Sequence, residues 1–460
     1  MPALNDTPLA AASPWLDGNA VLGPQRWSWR QVHVAALALA RELRPGASVC
    51  NLCATRAGFL VVWLAALRRG CVQVLPPSGG TGDLVAILQS GSDPVVVVDD
   101  AALLESAWSE HARCLVHVLR HPENGVGDAE LAWTPDPDAP LIRLYTSGST
   151  GTPEVQQKTI GQLASGAQVL AARLREVLGS DFDKLARIVC SVAPQHMFGL
   201  ETSVMLPLIT GIPVHDGRPL LPADVSAAFA GEPGPAAWIA TPLHLRALAQ
   251  AGEQLEQCRL VIASTMQLAP ALAEQCEALV RAPVLEIYGS TETGAVAMRR
   301  TAREPAWRGL QGVRFESSTG GTTVWGSHFD SPRVLSDRIE AEADGSFLLL
   351  GRDGDLLKIA GRRASLGGLN LLLQDMPGLE DGVFFLPASD SSTQRLVLIY
   401  AGADFDRRSA FAWLRARMDP VFLPRAMIHV ERLPRSAAGK LPRAALEEIY
   451  AAHRAGRRAP

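Results

Sequence analysis

Leu144-Tyr145-Thr146-Ser147-Gly148-Ser149-Thr150-Gly151-Thr152-Pro153-Glu154-Val155-Gln156-Gln157-Lys158 is the stretch on which the reading of this chain turns. Tyr145 closes an apolar run through Leu141, Ile142 and Leu144 that reads as a strand. Thr146 to Gly151 are all Gly, Ser or Thr, and Thr152-Pro153 closes the loop. Small residues let backbone N–H groups converge on an anion, and the hydroxyls add donors, so the segment is suited to holding phosphate. The spacing is not the G-x-x-x-x-G-K-[ST] of a Walker loop, which disfavours an ordinary P-loop NTPase. A flexible Gly/Ser linker is disfavoured because the loop is read as sitting between a strand and a helix. On that reading Lys158 lies one helical turn beyond Glu154.

Working outward, the 460 residues can form two or more domains with a large core. Apolar content of 47% and charged content of 20% are those of an ordinary globular protein. The net charge of −4 gives no global pull toward nucleic acid or an anionic membrane. Charge is uneven: from Asp404 onward there are 12 Lys/Arg against 6 Asp/Glu, so this tail is +6 and the remainder −10. Such a tail can receive a polyanionic partner or be a solvated face. Seven scattered cysteines read as reduced thiols. Cys50 and Cys53 form a lone C-x-x-C in a strand, where positions three apart face opposite ways, so neither a metal nor a redox site is expected there. The first Lys or Arg is Arg26, and the longest apolar run, Phe59 to Leu67, is too short to span a bilayer. A cytoplasmic protein without membrane insertion is expected.

Ser28 and Gln31 form a capping box opening a helix with Val32, Ala36, Leu39 and Leu43 on one face, stopped by Pro45-Gly46. Strands at 48–52, 72–75 and 95–98 alternate with helices around 61–67 and 84–88. After the glycine loop a long helix covers 160–178, and strands at 187–192, 236–240, 260–263 and 284–288 alternate with helical patterns. Alternation of this kind means β-α-β units in a mostly parallel sheet, whose ligands bind at the carboxyl ends of strands. From about Gly309 to Leu350 short strands with Gly and Asp turns take over, and a mixed β and α unit begins near Arg352.

Further polar signatures follow. Tyr288-Gly289-Ser290-Thr291-Glu292-Thr293-Gly294 stands at a strand end: a ring to stack on a base, a hydroxyl for a phosphate and a carboxylate for Mg²⁺. Asp337 is an acceptor-only group of the kind that holds both ribose hydroxyls, or else a strand-end aspartate. Gly351-Arg352-Asp353-Gly354-Asp355 leads through Lys358 to Gly361-Arg362-Arg363. Leu433-Pro434-Arg435-Ser436-Ala437-Ala438-Gly439-Lys440 places a lysine on a tight loop before the last helix.

In this order the segments resemble the AMP-forming acyl and aryl ligase superfamily of acyl-CoA synthetases, peptide-synthetase adenylation domains and luciferases, over nearly the whole chain. The resemblance implies an α/β fold: residues 1–351 as a large domain of stacked, mostly parallel sheets with a small β-rich subdomain, and 352–460 as a small mobile α+β lid. It implies ATP and Mg²⁺ as cofactors. By position, Thr146, Ser147, Gly148, Ser149, Thr150 and Gly151 would wrap the phosphates. Tyr288 would flank adenine with Gly289 beside it, Thr291 would touch the α-phosphate, and Glu292 would hold Mg²⁺. Asp337 would hold the ribose next to Arg352. Lys440 would bridge the acyl carboxylate and the α-phosphate during adenylation.

Three departures stand out. Glu154 replaces the lysine that usually follows the loop proline, and Lys158 is expected to supply the missing charge. Gly354 falls at the usual hinge position, and Gly367-Gly368-Leu369-Asn370 replaces the customary acidic pair.

For the acid, Pro194-Gln195-His196-Met197-Phe198-Gly199-Leu200-Glu201 matches the acyl-site segment, with His196, Phe198 and Gly199 as substrate candidates. Ser264, which heads the Ser264-Thr265-Met266-Gln267 stretch beside the adenine pocket, joins them. No aspartate is present to hold a substrate ammonium, which disfavours a free amino acid. The segment is similar to that of ligases charging aryl acids in aryl-polyene and xanthomonadin-type pigment pathways. A 4-hydroxybenzoate-like acid and the phosphopantetheine thiol of a holo acyl carrier protein are therefore the expected substrates. CoA as acceptor, in a free-standing aryl- or fatty-acyl-CoA synthetase, is the alternative. A nucleotide-binding protein without catalysis is the remaining one.

Overall fold

Two open sheets, of six and nine strands among the described residues, organise the chain as far as Gly309. The computed structural model describes residues 7–10, 15–76, 81–89, 91–104, 108, 110–117, 126–146, 154–318, 321–335, 337–352, 356–359, 362–374, 376–387, 395–402, 406–435 and 441–456. In chain order the strands are β1 (Asn19–Leu22), β2 (Trp27–Ser28), β3 (Ser48–Asn51), β4 (Val72–Leu75) and β5 (Val95–Val98). Next come β6 (Arg113–Val116), β7 (Pro140–Thr146), β8 (Glu154–Thr159), β9 (Arg187–Cys190) and β10 (Val214–His215). The last five are β11 (Ala236–Ala240), β12 (Cys258–Ala263), β13 (Val284–Ser290), β14 (Gly294–Arg299) and β15 (Arg308–Gly309).

The six-stranded sheet runs β6-β5-β3-β4-β7-β8 and is parallel except for β8, antiparallel on β7. The nine-stranded sheet runs β15-β14-β13-β12-β11-β9-β10-β1-β2, parallel from β13 to β1 with antiparallel strands at both edges. The four valines of β5 are fully buried, as a strand covered on both faces requires. Val95 and Val97 enter one core cluster, Val96 and Val98 another. Cys50 and Cys53 divide the same way, and both thiols are buried.

Between the sheets lies the helix Arg56–Arg68, buried from Arg56 to Leu67. Its residues share one cluster with Val49, Val95 and Ile142 of the smaller sheet and Val21 and Val214 of the larger. A helix apolar all round belongs in a core, which accounts for the run from Phe59 to Leu67. Among the described residues no helix is long and apolar enough to cross a membrane. The Ser28–Gln31 capping box opens the helix Trp29–Glu42 as expected, and a second box, Thr159–Gln162, opens Ile160–Leu178.

One expectation fails here. The residues after the glycine loop do not enter a helix; Glu154 to Thr159 form β8, which pairs with β7 from Thr146↔Glu154 back to Pro140↔Thr159. The helix begins only where Thr159 caps it. Lys158 is therefore four strand residues from Glu154, about 13 Å along the backbone, and not one helical turn. A polar edge strand has no apolar period of its own, so its conformation is set by pairing with β7.

Beyond the sheets, β16 (Arg314–Ser318), β17 (Gly321–Trp325) and β18 (Arg333–Leu335) form an antiparallel sheet, and β19 (Asp337–Ala341) pairs with β20 (Phe347–Arg352). The C-terminal part comprises β21 (Leu356–Ile359), β22 (Arg362–Ser365), β23 (Asp381–Phe385), β24 (Val397–Ala401) and β25 (Ala426–His429), with helices Leu366–Gln374, Arg407–Arg415 and Arg443–Gly456. These elements build apolar clusters of their own. Leu371 packs on the cluster beneath β11 and β12, so the two parts are in contact.

Candidate active site

The Tyr288-to-Gly294 signature folds as the tight end of the β13–β14 hairpin. Ser290 pairs with Gly294, and a register shift separates Tyr288 from Gly289. Thr293, fully buried, closes the turn: its hydroxyl accepts from Ser290 N at 3.2 Å and donates to Gly294 O at 2.8 Å. That leaves Thr291 and Glu292 half-buried at the tip. Both glycines are required. A Cβ on Gly289 would lie 2.1 Å from Gly294 O, and Gly294 has φ +72° with Glu201 Oε1 2.4 Å from where its Cβ would stand.

Lys158 joins this tip to the glycine-loop hairpin. It is 5% exposed, and its Nζ donates to the Glu292 carbonyl at 2.8 Å. Burial holds its pKa below the usual lysine value, against the attraction of Glu201. Lys158, expected to supply charge at the phosphates, donates here to a backbone carbonyl. Thr146 ends β7 opposite Glu154. Ser147, Gly148, Ser149, Thr150, Gly151, Gly354 and Lys440 lie outside the described residues.

The acyl-site segment leaves β9 through Ala193 and enters a short helix, Met197–Leu200, followed by a π-helical turn, Glu201–Met205. Half-buried His196 stands at the cap, its carbonyl accepting from Leu200 N at 2.8 Å. Gly199 permits a close approach: a Cβ there would lie 2.0 Å from Ala193 O. Phe198 is 8% exposed and packs in the core with Leu170, Leu174 and Ile188, so most of its surface is occupied by protein. Arg56, buried at the start of the inter-sheet helix, donates to Val192 O at 2.6 Å and pins the head of this segment.

Ser264, at the end of β12, donates to Ile287 O at 3.0 Å, bracing the strand that delivers Tyr288. Thr265 beside it has φ +79°, unusual for a β-branched residue, and its buried hydroxyl has no partner among the described residues. The Tyr288 ring packs on Trp307 and Phe347, centroids 5.6 and 6.3 Å away. Asp337 opens β19, and Thr322 donates to its carbonyl at 2.6 Å. The glycines that replace the customary acidic pair start the helix Leu366–Gln374, where Gly368 N donates to Ser365 Oγ at 3.3 Å.

Two groups carry more than the sequence suggested. Glu201 ends the acyl-site segment in sequence; its buried carboxylate accepts from Ala295 N at 3.1 Å, and burial raises its pKa to about 7. His328, in a stretch without any motif, bonds Ala295 O at 3.1 Å, and burial lowers its pKa to about 4. No period or spacing in the sequence marks His328, and none marks the partner of Glu201.

The donor set suits Mg²⁺. Among the described residues no cluster of three or more His, Cys, Asp or Glu side chains is placed to hold a metal by itself. One half-buried carboxylate, Glu292, beside a hydroxyl matches a cation that keeps waters and completes its shell with phosphate oxygens.

A family model for AMP-binding enzymes matches residues 10–321. The 4-coumarate–CoA ligase of Cereibacter sphaeroides is 26% identical over 304 residues, covering 64% of this chain and 69% of that protein. The p-hydroxybenzoic acid–AMP ligase FadD22 of Mycobacterium tuberculosis is 26% identical over 492 residues, covering 95% and 67%. The ATP-bound MatB of Rhodopseudomonas palustris shares the fold, with a TM-score of 0.78 at 19% identity, covering 94% of this chain and 96% of that one. Fold and family together define an AMP-forming acid–thiol ligase. The chain belongs to the AMP-binding enzyme family.

Proposed function

We propose that this ligase adenylates a 4-hydroxybenzoate-like aromatic acid and loads it on the phosphopantetheine thiol of an acyl carrier protein. The observation that carries the site is the bond from Lys158 to the Glu292 carbonyl, which draws the edge of the glycine-loop hairpin against the Thr291–Glu292 tip. The aryl acid is supported by the segment from Pro194 to Glu201, which lacks an aspartate, and by the likeness to FadD22, a p-hydroxybenzoic acid–AMP ligase. The basic C-terminal stretch suits an acidic carrier protein.

In this reading Thr146 to Gly151 donate to the phosphates, Thr291 contacts the α-phosphate, and Asp337 accepts from the ribose hydroxyls. Tyr288 flanks adenine, while His196 and Ser264 border the acid. Mg²⁺ on Glu292 supplies charge neutralisation to the phosphates. The carboxylate attacks the α-phosphorus, pyrophosphate leaves, and the negative charge that develops is met by Lys440 from a C-terminal lid, residues 352–460. The thiol then attacks the acyl carbon and AMP leaves. Separating the two steps keeps water from the anhydride.

Hydroxamate trapping over a panel of carboxylic acids tests the first half. Strong signal with 4-hydroxybenzoate is expected, and no signal with any acid would refute the assignment. Intact mass of holo carrier protein against CoA-thioester product tests the second. CoA as acceptor is the second reading, favoured by the likeness to 4-coumarate–CoA ligase.

A further inference from the structure

Three buried polar side chains from three distant parts of the chain close on one short backbone segment. Lys158 of β8 binds the carbonyl of Glu292 at 2.8 Å. Glu201, in the π-helical turn that continues the acyl-site segment, binds the N–H of Ala295 at 3.1 Å. His328, between β17 and β18, binds the carbonyl of Ala295 at 3.1 Å. Their exposures are 5%, 5% and 3%. Gly294, between the bound residues, meets Glu201 so closely that no side chain fits there.

Burying an ammonium and a carboxylate is costly, and apolar residues of similar size would hold a fold at least as well. The arrangement is therefore better explained by what it positions than by stability. All three groups act on backbone atoms of residues 292–295, directly behind the tip carrying Thr291 and Glu292. One of them stands on the same continuous helical segment as His196 and Gly199. A π-turn at that point, which shifts the helix by one residue, is a recurrent feature of functional sites.

Resting on the function proposed above, we propose that Lys158, Glu201 and His328 are positioning residues for adenylation. They lock the hairpin tip to the acyl-site helix, so that the acid and the α-phosphate contacts keep one fixed separation. Lys158 thereby contributes through the Glu292 carbonyl and not as a phosphate ligand.

The two roles of Lys158 predict different kinetics. In pyrophosphate-release assays of the full chain with ATP and the best acid of the panel, Lys158→Met should lower kcat about 10- to 100-fold while KM for ATP stays within about threefold. Glu201→Gln keeps an acceptor for Ala295 N and should retain activity within about threefold, whereas Glu201→Leu should lose about tenfold or more. A raised KM for ATP with unchanged kcat in Lys158→Met would overturn the proposal, as would equal activity of the two Glu201 variants. If Lys158→Met does not fold, the Glu201 pair decides. Amide hydrogen exchange supplies a readout independent of turnover. Residues 291–295 should exchange faster in Glu201→Leu than in wild type, and unchanged exchange there overturns the proposal. Wild-type protein silent toward every acid refutes the functional reading alone, because the exchange comparison still judges the strut.

Discussion

Asp337 and Arg352 face each other across the β19–β20 ladder, the first residue of one strand opposite the last of the other. Fifteen positions of sequence are folded back so that the backbone of Asp337, expected at the ribose, pairs with that of Arg352, expected beside it. They occupy the end of the hairpin from which the chain leaves for its C-terminal part.

On the proposed function, Asp337→Asn removes an acceptor-only group from the ribose site. A charged hydrogen bond is worth about 1.5–3 kcal/mol, so KM for ATP should rise about 10- to 100-fold, with a smaller change in kcat. Steady-state pyrophosphate release at varied ATP checks this, and an unchanged KM removes Asp337 from the nucleotide site.

Lys440→Ala should slow acyl-adenylate formation by about 10²–10³, by analogy with removal of one preorganised donor to a developing anion. Single-turnover quenching with labelled ATP isolates that step from thiol transfer. The melting temperature should remain that of the wild type, because the effect belongs to the transition state.

Thr265→Gly should raise stability by up to about 1 kcal/mol. A β-branched residue at φ +79° is strained, and its buried hydroxyl gains no bond among the described residues to offset desolvation. Strain of this kind collects at functional sites, so the more stable variant should also lose activity. Denaturant titration alongside pyrophosphate release measures both, and a destabilised variant contradicts the strain.

His33 makes stability depend on pH. Burial, aided by nearby Arg68, lowers its pKa to about 4 from the ordinary 6.5, although its Nε2 bonds Pro8 O at 2.8 Å. As pH falls below 6.5 the unfolded chain takes up a proton that the native imidazole refuses until about 4. The stabilising contribution is thus complete above 6.5 and is lost between 6.5 and 4, amounting to about 3 kcal/mol. Half-buried His244 and buried His328 act in the same direction. Urea midpoints for wild type and His33→Gln at pH 7.5 and 5 test this: the variant should show the shallower decline.

Much of the architecture is legible in the sequence. The valines at 95–98, the capping box at Ser28 and Gln31, and the helix from Ile160 to Leu178 are encoded by neighbouring residues, and the structure places each where expected. The hairpin bearing Thr291 and Glu292 was marked by its composition, though not by its turn chemistry, in which Thr293 does the closing. β8 went unseen because an edge strand of mostly polar residues has no period, and its backbone is settled by β7.

What the sequence determined by itself is the set of local conformations and the identity of the polar groups offered for the proposed chemistry: a loop of small residues, a carboxylate beside a threonine, a lysine before the last helix. What only the tertiary structure decided is where buried charges end. Lys158 reaches a carbonyl 134 residues away, and Glu201 reaches an amide 94 residues away. Local preference acts over a few bonds and is written in each segment. A buried ion must find its partner wherever the packing of two sheets brings a backbone within 3 Å, and that distance exists only once the chain has folded.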